Sequence, residues 1–197
     1  SDCGVKVRRL PATRIEADNG SVRAVVTREG RISCGAAIVC TGGVSYPATG
    51  STGDGYKFSR ELGHNSIPPH PSLVPLVEKG EVCAELMGLS LRNIKLSVYE
   101  DGRRIYEDFG ELLFTHFGIS GPTVLSASAH MRRFGEALYR VELDLKPALD
   151  EKTLDSRIVS DFGKYKNSDF INSLSDLLPS KLIPVVVRLS GIDPRIK

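Results

Sequence analysis

An apolar run at residues 36–40 (AAIVC) is followed by five glycines within the fifteen positions 41–55. A run that is apolar on both faces predicts a central strand, buried on both sides of an α/β sheet. No parallel partner strand is recognisable elsewhere in the sequence. Glycines at this density let the backbone approach a ligand closely and direct N–H groups at an anion, such as a nucleotide. A loop of this composition can equally be only a connection, and the residues alone leave both interpretations open.

The segments around this run predict a β-meander and one short helix. β-Branched or alternating stretches indicate strands at residues 5–10, 13–17, 22–28 and 32–34. Asn19-Gly20 and Glu29-Gly30 lie where hairpin turns need residues that tolerate positive φ. A helix is predicted at about residues 56–62, with Asp54 as its N-cap and Gly63 just past its C-terminus.

The proline-rich segment 68–71 (PPHP) predicts a boundary, after which the sequence is again rich in strands. Strands are predicted at residues 73–77, 91–99, 104–109, 112–115 and 138–145. Helices are predicted at 122–134, 153–162, 169–178 and 181–189, the first with proline at its first position. The order of these elements indicates an α+β protein with three parts, at residues 1–70, 71–148 and 149–197.

The composition excludes several classes of partner. There are 26 lysines and arginines against 24 aspartates and glutamates, and the basic residues are scattered, so we expect neither nucleic acid nor an anionic membrane as partner. No apolar run approaches the roughly 20 residues that span a bilayer. Four cysteines occur without a C-x-x-C pair, which favours reduced thiols, a cytoplasmic location and no metal site.

Two common phosphate-binding motifs are missing. The P-loop needs Gly-Lys-Ser/Thr, whereas Gly55 is followed by Tyr56 and Lys57. The dinucleotide fingerprint G-x-G-x-x-G is absent from the whole chain. A nucleotide could therefore be bound here only by another arrangement, or with help from residues outside this sequence.

Four blocks of sequence, taken together, resemble a known family. They are CTGGVSYP with TGSTGDG (residues 40–47 and 49–55), LGH (62–64), PSLVPL (71–76) and GELLFTHFGISGP (110–122). In this order they resemble the BaiN-type (YhiN-like) family of bacterial NAD(P)/FAD-dependent oxidoreductases, across nearly the whole chain. The Thr-Gly-Gly and Thr-Gly-Asp-Gly segments are also similar to those of fumarate reductase and succinate dehydrogenase flavoproteins.

The resemblance implies a Rossmann-like FAD domain interrupted by an antiparallel β-rich domain and a small helical region. In that family the FAD fingerprint lies N-terminal to everything seen here, and a C-terminal segment returns to complete the FAD domain. The fold expected for residues 1–197 is therefore α+β: a remnant of the FAD domain, made of the meander and the buried strand, with the inserted domain and the helices. The expected partners are the missing parts of its own FAD domain and a small-molecule substrate, and an unpaired sheet edge could drive non-native association.

The resemblance also implies positions for the site. The residues expected near FAD are Thr41, Gly42, Gly43, Gly53, Asp54, Gly55, Gly118, Ser120 and Gly121. His116 is the candidate catalytic acid, because imidazole titrates near neutrality and could protonate an activated double bond during its reduction. A histidine beside aromatic residues can equally be structural, and an N-cap role would equally account for Asp54.

Two hypotheses of function follow, one for the parent protein and one for the isolated chain. The parent would transfer hydride from NAD(P)H through FAD to an organic acceptor, for example an activated carbon–carbon double bond. The isolated chain would be a cofactor-free insertion or binding module without activity of its own. Both can hold at once.

Overall fold

The computed structural model describes residues 3–197. The chain divides into two compact units, the first ending at Pro69 and the second being His70–Lys197. Each unit contains one antiparallel β-sheet with helices, so the predicted α+β class is confirmed. The finer prediction of three parts, at residues 1–70, 71–148 and 149–197, stays a prediction.

The sheet of the first unit is a three-stranded meander. Its strands are β1 (Ala12–Asp18), β2 (Ser21–Thr27) and β3 (Gly30–Ser33), in that order and all antiparallel. The β1–β2 turn is made by Asn19 and Gly20, with φ of 49° and 74°, as the sequence predicts. Both residues adopt the left-handed backbone that a tight hairpin turn of this kind requires.

Two strand predictions in the first unit are wrong. Residues 5–10 form no strand, and neither do residues 36–40, the run predicted to be a buried central strand. Ile38 is 91% exposed. A central strand exists only if other strands pair with both of its edges, and every strand among residues 3–197 pairs within one of the two antiparallel sheets.

The helix α1 (Asp54–Glu61) follows the glycine-rich loop. Its N-cap is Gly53, with φ of 83°, and not Asp54, so the helix begins two residues before the predicted start at about residue 56. The C-terminus is as predicted: Gly63 has φ of 85°, and its N–H donates to the Arg60 carbonyl. The His64 N–H donates to the Ser59 carbonyl, which completes a Schellman motif.

The sheet of the second unit has five strands in the order β4-β7-β6-β5-β8, all antiparallel. They are β4 (Leu76–Val77), β5 (Ser90–Glu100), β6 (Arg103–Thr115), β7 (Gly118–Ser120) and β8 (Tyr139–Asp144). The predicted strands 104–109 and 112–115 are thus one continuous strand, and the short β7 was not predicted. Asp101 and Gly102 form the β5–β6 turn, as predicted.

The helices of the second unit are α2 (Val82–Glu85), α3 (Pro122–Ser128), α4 (Glu151–Lys164), α5 (Phe170–Ser173) and α6 (Ile183–Ser190). Helices α4 and α6 lie where they were predicted, whereas α5 covers only four of the ten residues, 169–178, predicted to be helical. Helix α3 begins at the predicted proline but ends six residues early, because the chain turns at residues 129–130. No helix among the described residues is long and apolar enough to cross a membrane.

The main core of the second unit lies on one face of the long β5–β6 pair, against α2, α3 and α6. Its most completely buried aliphatic side chains are Leu86, Ile94, Leu96, Val98, Leu112 and Val124. Leu182 and Val185 join the same core from the C-terminal region. This packing fixes the positions of α2 and α6 over the sheet.

Candidate functional site

The two glycine-rich segments of the first unit, residues 41–43 and 51–55, lie against each other and are here called the glycine site. The Gly53 N–H donates to the Gly43 carbonyl at 3.0 Å. A Cβ atom at Gly42 would lie 2.7 Å from the Ser51 hydroxyl oxygen, and one at Gly55 would lie 2.9 Å from that of Thr41. The site thus brings six predicted residues together: Thr41, Gly42, Gly43, Gly53, Asp54 and Gly55.

The N-terminus of α1 supplies the polar groups of this site. The first amides of a helix, here those of Asp54 and Gly55, have no intrahelical acceptor, and the helix dipole adds partial positive charge. The Asp54 carboxylate is exposed and accepts a hydrogen bond from the Thr52 hydroxyl at 3.2 Å. Free amides suit an anion and a carboxylate suits a hydroxyl, so the donor and acceptor set fits a nucleotide.

Exposed apolar side chains flank the glycine site on both sides. Ile38 and Val39 precede it, and Val44 and Tyr46 follow its first segment. Large apolar side chains clustered on a surface usually mark a place where other protein or a ligand packs. The glycine site therefore lies beside apolar surface that the described chain leaves uncovered.

The second predicted segment, around His116, is a tight hairpin between β6 and β7. His116 and Phe117 form its two-residue turn, and their rings meet edge to face at 4.9 Å between centroids. The Thr115 hydroxyl donates to the Gly118 carbonyl at 3.0 Å, and the Glu78 N–H donates to the Phe117 carbonyl at 2.9 Å. The backbone of the turn is therefore fixed on both sides, while the His116 side chain is exposed.

The glycines beside this hairpin have packing reasons to be glycine. A Cβ at Gly118 would lie 2.1 Å from the Leu76 carbonyl oxygen, because β4 pairs with β7 at this position. Gly121 has φ of 105°, and a Cβ there would lie 3.1 Å from the Glu111 carbonyl oxygen. Ser120 is half-buried and pairs with Leu113 in the β6–β7 ladder. The contacts of Gly118 and Gly121 account for both glycines without a cofactor, and direct contact with FAD stays a prediction for these two residues and for Ser120.

A cavity of about 490 Å³ in the second unit was not predicted from the sequence. It lies between the two edge strands of the sheet, β4 and β8, and beneath α2 and α6. The signal that could have indicated it is the alternation of Val141, Leu143 and Leu145, which places three aliphatic side chains on one face of β8 and just beyond it.

All four cysteines are free thiols, and the described residues contain no group of three metal-binding side chains. Burial, together with a hydrogen bond to Glu78 and the charge of that carboxylate, raises the pKa of the Cys83 thiol to about 12. Cys83 is therefore protonated at neutral pH and is not a nucleophile. Cys40, directly before the glycine site, is exposed.

The comparisons with known proteins decide the family. The HI0933-like protein barrel and H2TH domain matches residues 70–197, the whole second unit. The chain belongs to this HI0933-like family. The predicted resemblance to BaiN-type (YhiN-like) flavoproteins is thereby confirmed.

Similar proteins include enzymes with two kinds of name. The chain is 29% identical over 194 residues to the 3-dehydro-bile acid delta(4,6)-reductase of Clostridium scindens. This alignment covers 95% of this chain and 46% of that enzyme. It is 29% identical over 161 residues to the ribosomal RNA dihydrouridine synthase of Escherichia coli, covering 82% of this chain and 38% of that enzyme. The Haemophilus influenzae enzyme of the same name is 39% identical over 116 residues, covering 58% of this chain and 27% of that enzyme. The chain thus spans less than half the length of these relatives.

Proposed function

We propose that this chain is part of a flavin-dependent oxidoreductase that uses NAD(P)H to reduce an activated carbon–carbon double bond. The observation that carries the proposal is the glycine site, where two glycine segments meet at the N-terminus of α1 in a chain of the HI0933-like family. The names of the relatives support the type of reaction. One relative is named a delta(4,6)-reductase and another a dihydrouridine synthase, and both names describe reduction of a carbon–carbon double bond.

The first unit would be part of a Rossmann-like FAD domain whose remaining strands lie outside residues 1–197. The exposed apolar run at residues 36–40 supports this, since pairing on both edges would turn it into the buried central strand that its composition favours. The coverage of the relatives, 46% or less, leaves ample sequence for such strands. The isolated chain would then be cofactor-free and prone to associate through this run.

Within the completed domain, FAD would be held by Thr41, Gly42, Gly43, Gly53, Asp54 and Gly55. The glycines would let the backbone pass close to the dinucleotide, the first amides of α1 would face an anionic group, and the Asp54 carboxylate would accept from a hydroxyl. When bound, the flavin supplies the hydride chemistry, and the protein supplies position and electrostatics. The four free thiols favour a cytoplasmic location for the parent.

We propose His116 as the group that delivers the proton when the double bond is reduced. Hydride addition to one carbon leaves the adjacent carbon to be protonated, and an exposed imidazole on a rigid turn can do this. The experiments use the longer protein, meaning the proposed parent that contains this chain and the rest of its FAD domain. In this protein, His116→Ala should slow oxidation of the reduced flavin by the acceptor about 100-fold. Reduction of the flavin by NAD(P)H should be unchanged.

The matched control for this test is His130→Ala. His130 is also exposed, but its ring stacks on Tyr106 at 4.7 Å, and the sequence gives no reason to place it at the reaction. It should retain both half-reactions. Equal rates of acceptor reduction in the His116→Ala variant and the unmodified protein would remove the proposed acid role.

The acceptor could be a small enone or a uridine in RNA, and the charge of the second unit favours the small molecule. Residues 70–197 contain 17 lysines and arginines against 18 aspartates and glutamates, a net charge of −1. Several of the arginines are neutralised in ion pairs, such as Arg133 with Glu100 and Asp101. RNA-binding surfaces are normally basic.

The experiment that separates the two acceptors uses the longer protein with its flavin reduced chemically under anaerobic conditions. A small 4-en-3-one should reoxidise the flavin and be recovered with the double bond saturated. A uridine-containing rRNA fragment should not. If only the RNA reoxidises the flavin, the acceptor is a uridine in RNA and not a small enone. If neither compound reoxidises the flavin, the proposed reduction of a double bond is contradicted.

A further inference from the structure

The chain forms the same type of braced hairpin twice. In each, a threonine ends one strand, a two-residue turn follows, and a glycine paired with that threonine begins the next strand. Between β2 and β3, the Thr27 hydroxyl donates to the Gly30 carbonyl at 2.9 Å. Between β6 and β7, the Thr115 hydroxyl donates to the Gly118 carbonyl at 3.0 Å. A hydrogen bond from side chain to backbone thus spans the base of both turns.

The two hairpins differ in the residues at the tip. The first has Arg28 and Glu29 there, whereas the second has His116 and Phe117, and all four residues are exposed. None of the four has positive φ, so neither turn requires glycine or asparagine, and ordinary polar residues would form it equally well. The aromatic pair is therefore not needed to make the second turn. The proposed acid role of His116 gives a reason for its presence.

The direction of the His116 imidazole depends on the backbone of this turn. The side chain is exposed, so packing in the core does not hold it. Its ring contacts the ring of Phe117 edge to face, with 4.9 Å between centroids, and both rings belong to the same two-residue turn. The Thr115 hydroxyl bond fixes the ends of that turn, beside the ladder pairing of Thr115 with Gly118. The hydroxyl therefore acts directly on the segment that presents the imidazole.

We propose that Thr115 is the positioning residue for His116 in the reduction of the double bond. Its hydroxyl keeps the turn in one conformation, so that the imidazole faces the acceptor in one direction. Proton transfer depends steeply on such placement, because the acid must lie within hydrogen-bond reach of the atom that it protonates. This role rests on the proposed function and goes beyond it by assigning how the acid is held.

The first test needs no flavin and uses the chain of residues 1–197. NMR relaxation of the imidazole C–H groups reports how firmly each histidine ring is held. Thr115→Val removes the hydroxyl but keeps the branched shape, and it should lower the order parameter of the His116 ring. The order parameter of the His130 ring, which stacks on Tyr106, should not change. An unchanged order parameter of the His116 ring in Thr115→Val would overturn the proposal.

The second test measures acceptor reduction in the longer protein. Thr115→Val should slow oxidation of the reduced flavin by the acceptor about tenfold. The acceptor concentration that gives half the maximal rate, and the reduction of the flavin by NAD(P)H, should both be unchanged. Thr115→Ser keeps the hydroxyl and should restore the rate. In a protein that already carries His116→Ala, Thr115→Val should have no further effect, because the group that it positions is gone.

Thr27→Val is the matched control, because it removes the equivalent bond from the hairpin without a histidine and should leave both half-reactions unchanged. Equal slowing by Thr27→Val and Thr115→Val, or a further tenfold loss from Thr115→Val in the His116→Ala protein, would overturn the positioning role. A full rate in Thr115→Val beside a slow His116→Ala would overturn it alone and leave the proposed function intact. A flavin that NAD(P)H does not reduce would overturn both together.

Discussion

Gly118→Ala should destabilise the second unit by about 4 kcal/mol or more, at the upper end of the range for single substitutions. The added Cβ would lie 2.1 Å from the Leu76 carbonyl oxygen and 2.8 Å from the Glu78 nitrogen. Both are backbone atoms, so no side-chain rotation can relieve the overlap. Relief requires β4 to separate from β7, which breaks the Leu76–Ile119 pairing and exposes one wall of the cavity.

The control is Gly135→Ala, because Gly135 also has positive φ (83°) but no atom within 4 Å of the position that an added Cβ would take. It should cost only about 1–2 kcal/mol, the strain of a left-handed alanine. Urea unfolding of both variants, followed by circular dichroism, gives the comparison directly. Equal losses of stability at the two positions would show that β4 does not pack on Gly118 as described.

Gly42→Val should remove most of the bound FAD from the longer protein, with an affinity loss of at least tenfold, or about 1.4 kcal/mol. At φ of 74° a β-branched residue is strongly disfavoured, and its Cβ would lie 2.7 Å from the Ser51 hydroxyl oxygen. The contact between the two glycine segments would open, and the first amides of α1 would move away from residues 41–43. The measurement is the flavin content per chain after gel filtration.

Gly50→Val separates backbone strain from disruption of the glycine site. Gly50 has φ of 96° and no neighbouring atom within 4 Å of the added Cβ, so the strain is comparable but the two segments are not forced apart. We expect this variant to retain its flavin. If Gly50→Val loses as much flavin as Gly42→Val, the loss reflects general strain and the glycine site has no special role.

Features fixed by neighbouring residues could be predicted from the sequence. The turns at Asn19-Gly20 and Asp101-Gly102 and the end of α1 at Gly63 follow from residues that tolerate positive φ. Helices α4 and α6 follow from apolar periodicity. Each of these depends on interactions within a few positions of chain, which a pattern of residue types records.

Features fixed by distant residues could not be predicted. Residues 36–40 have the composition of a central strand, but a strand also needs partners, and composition does not say whether they are present. Gly118 is required because the paired strand β4 lies too close for a side chain, and the cavity exists because residues of both β4 and β8 line it. The two glycine segments could be identified from the amino-acid sequence. Their contact, through the Gly43–Gly53 hydrogen bond, is seen only in the folded chain.

The central claim is that the glycine site belongs to a flavin-dependent reductase, and anaerobic spectroscopy of the longer protein tests it most directly. The purified protein should show the visible absorption bands of oxidised flavin. NADH or NADPH should bleach these bands, and a small enone should then restore them in amounts equal to the saturated product formed. A protein that binds no flavin, or whose flavin neither nicotinamide reduces, would contradict the account.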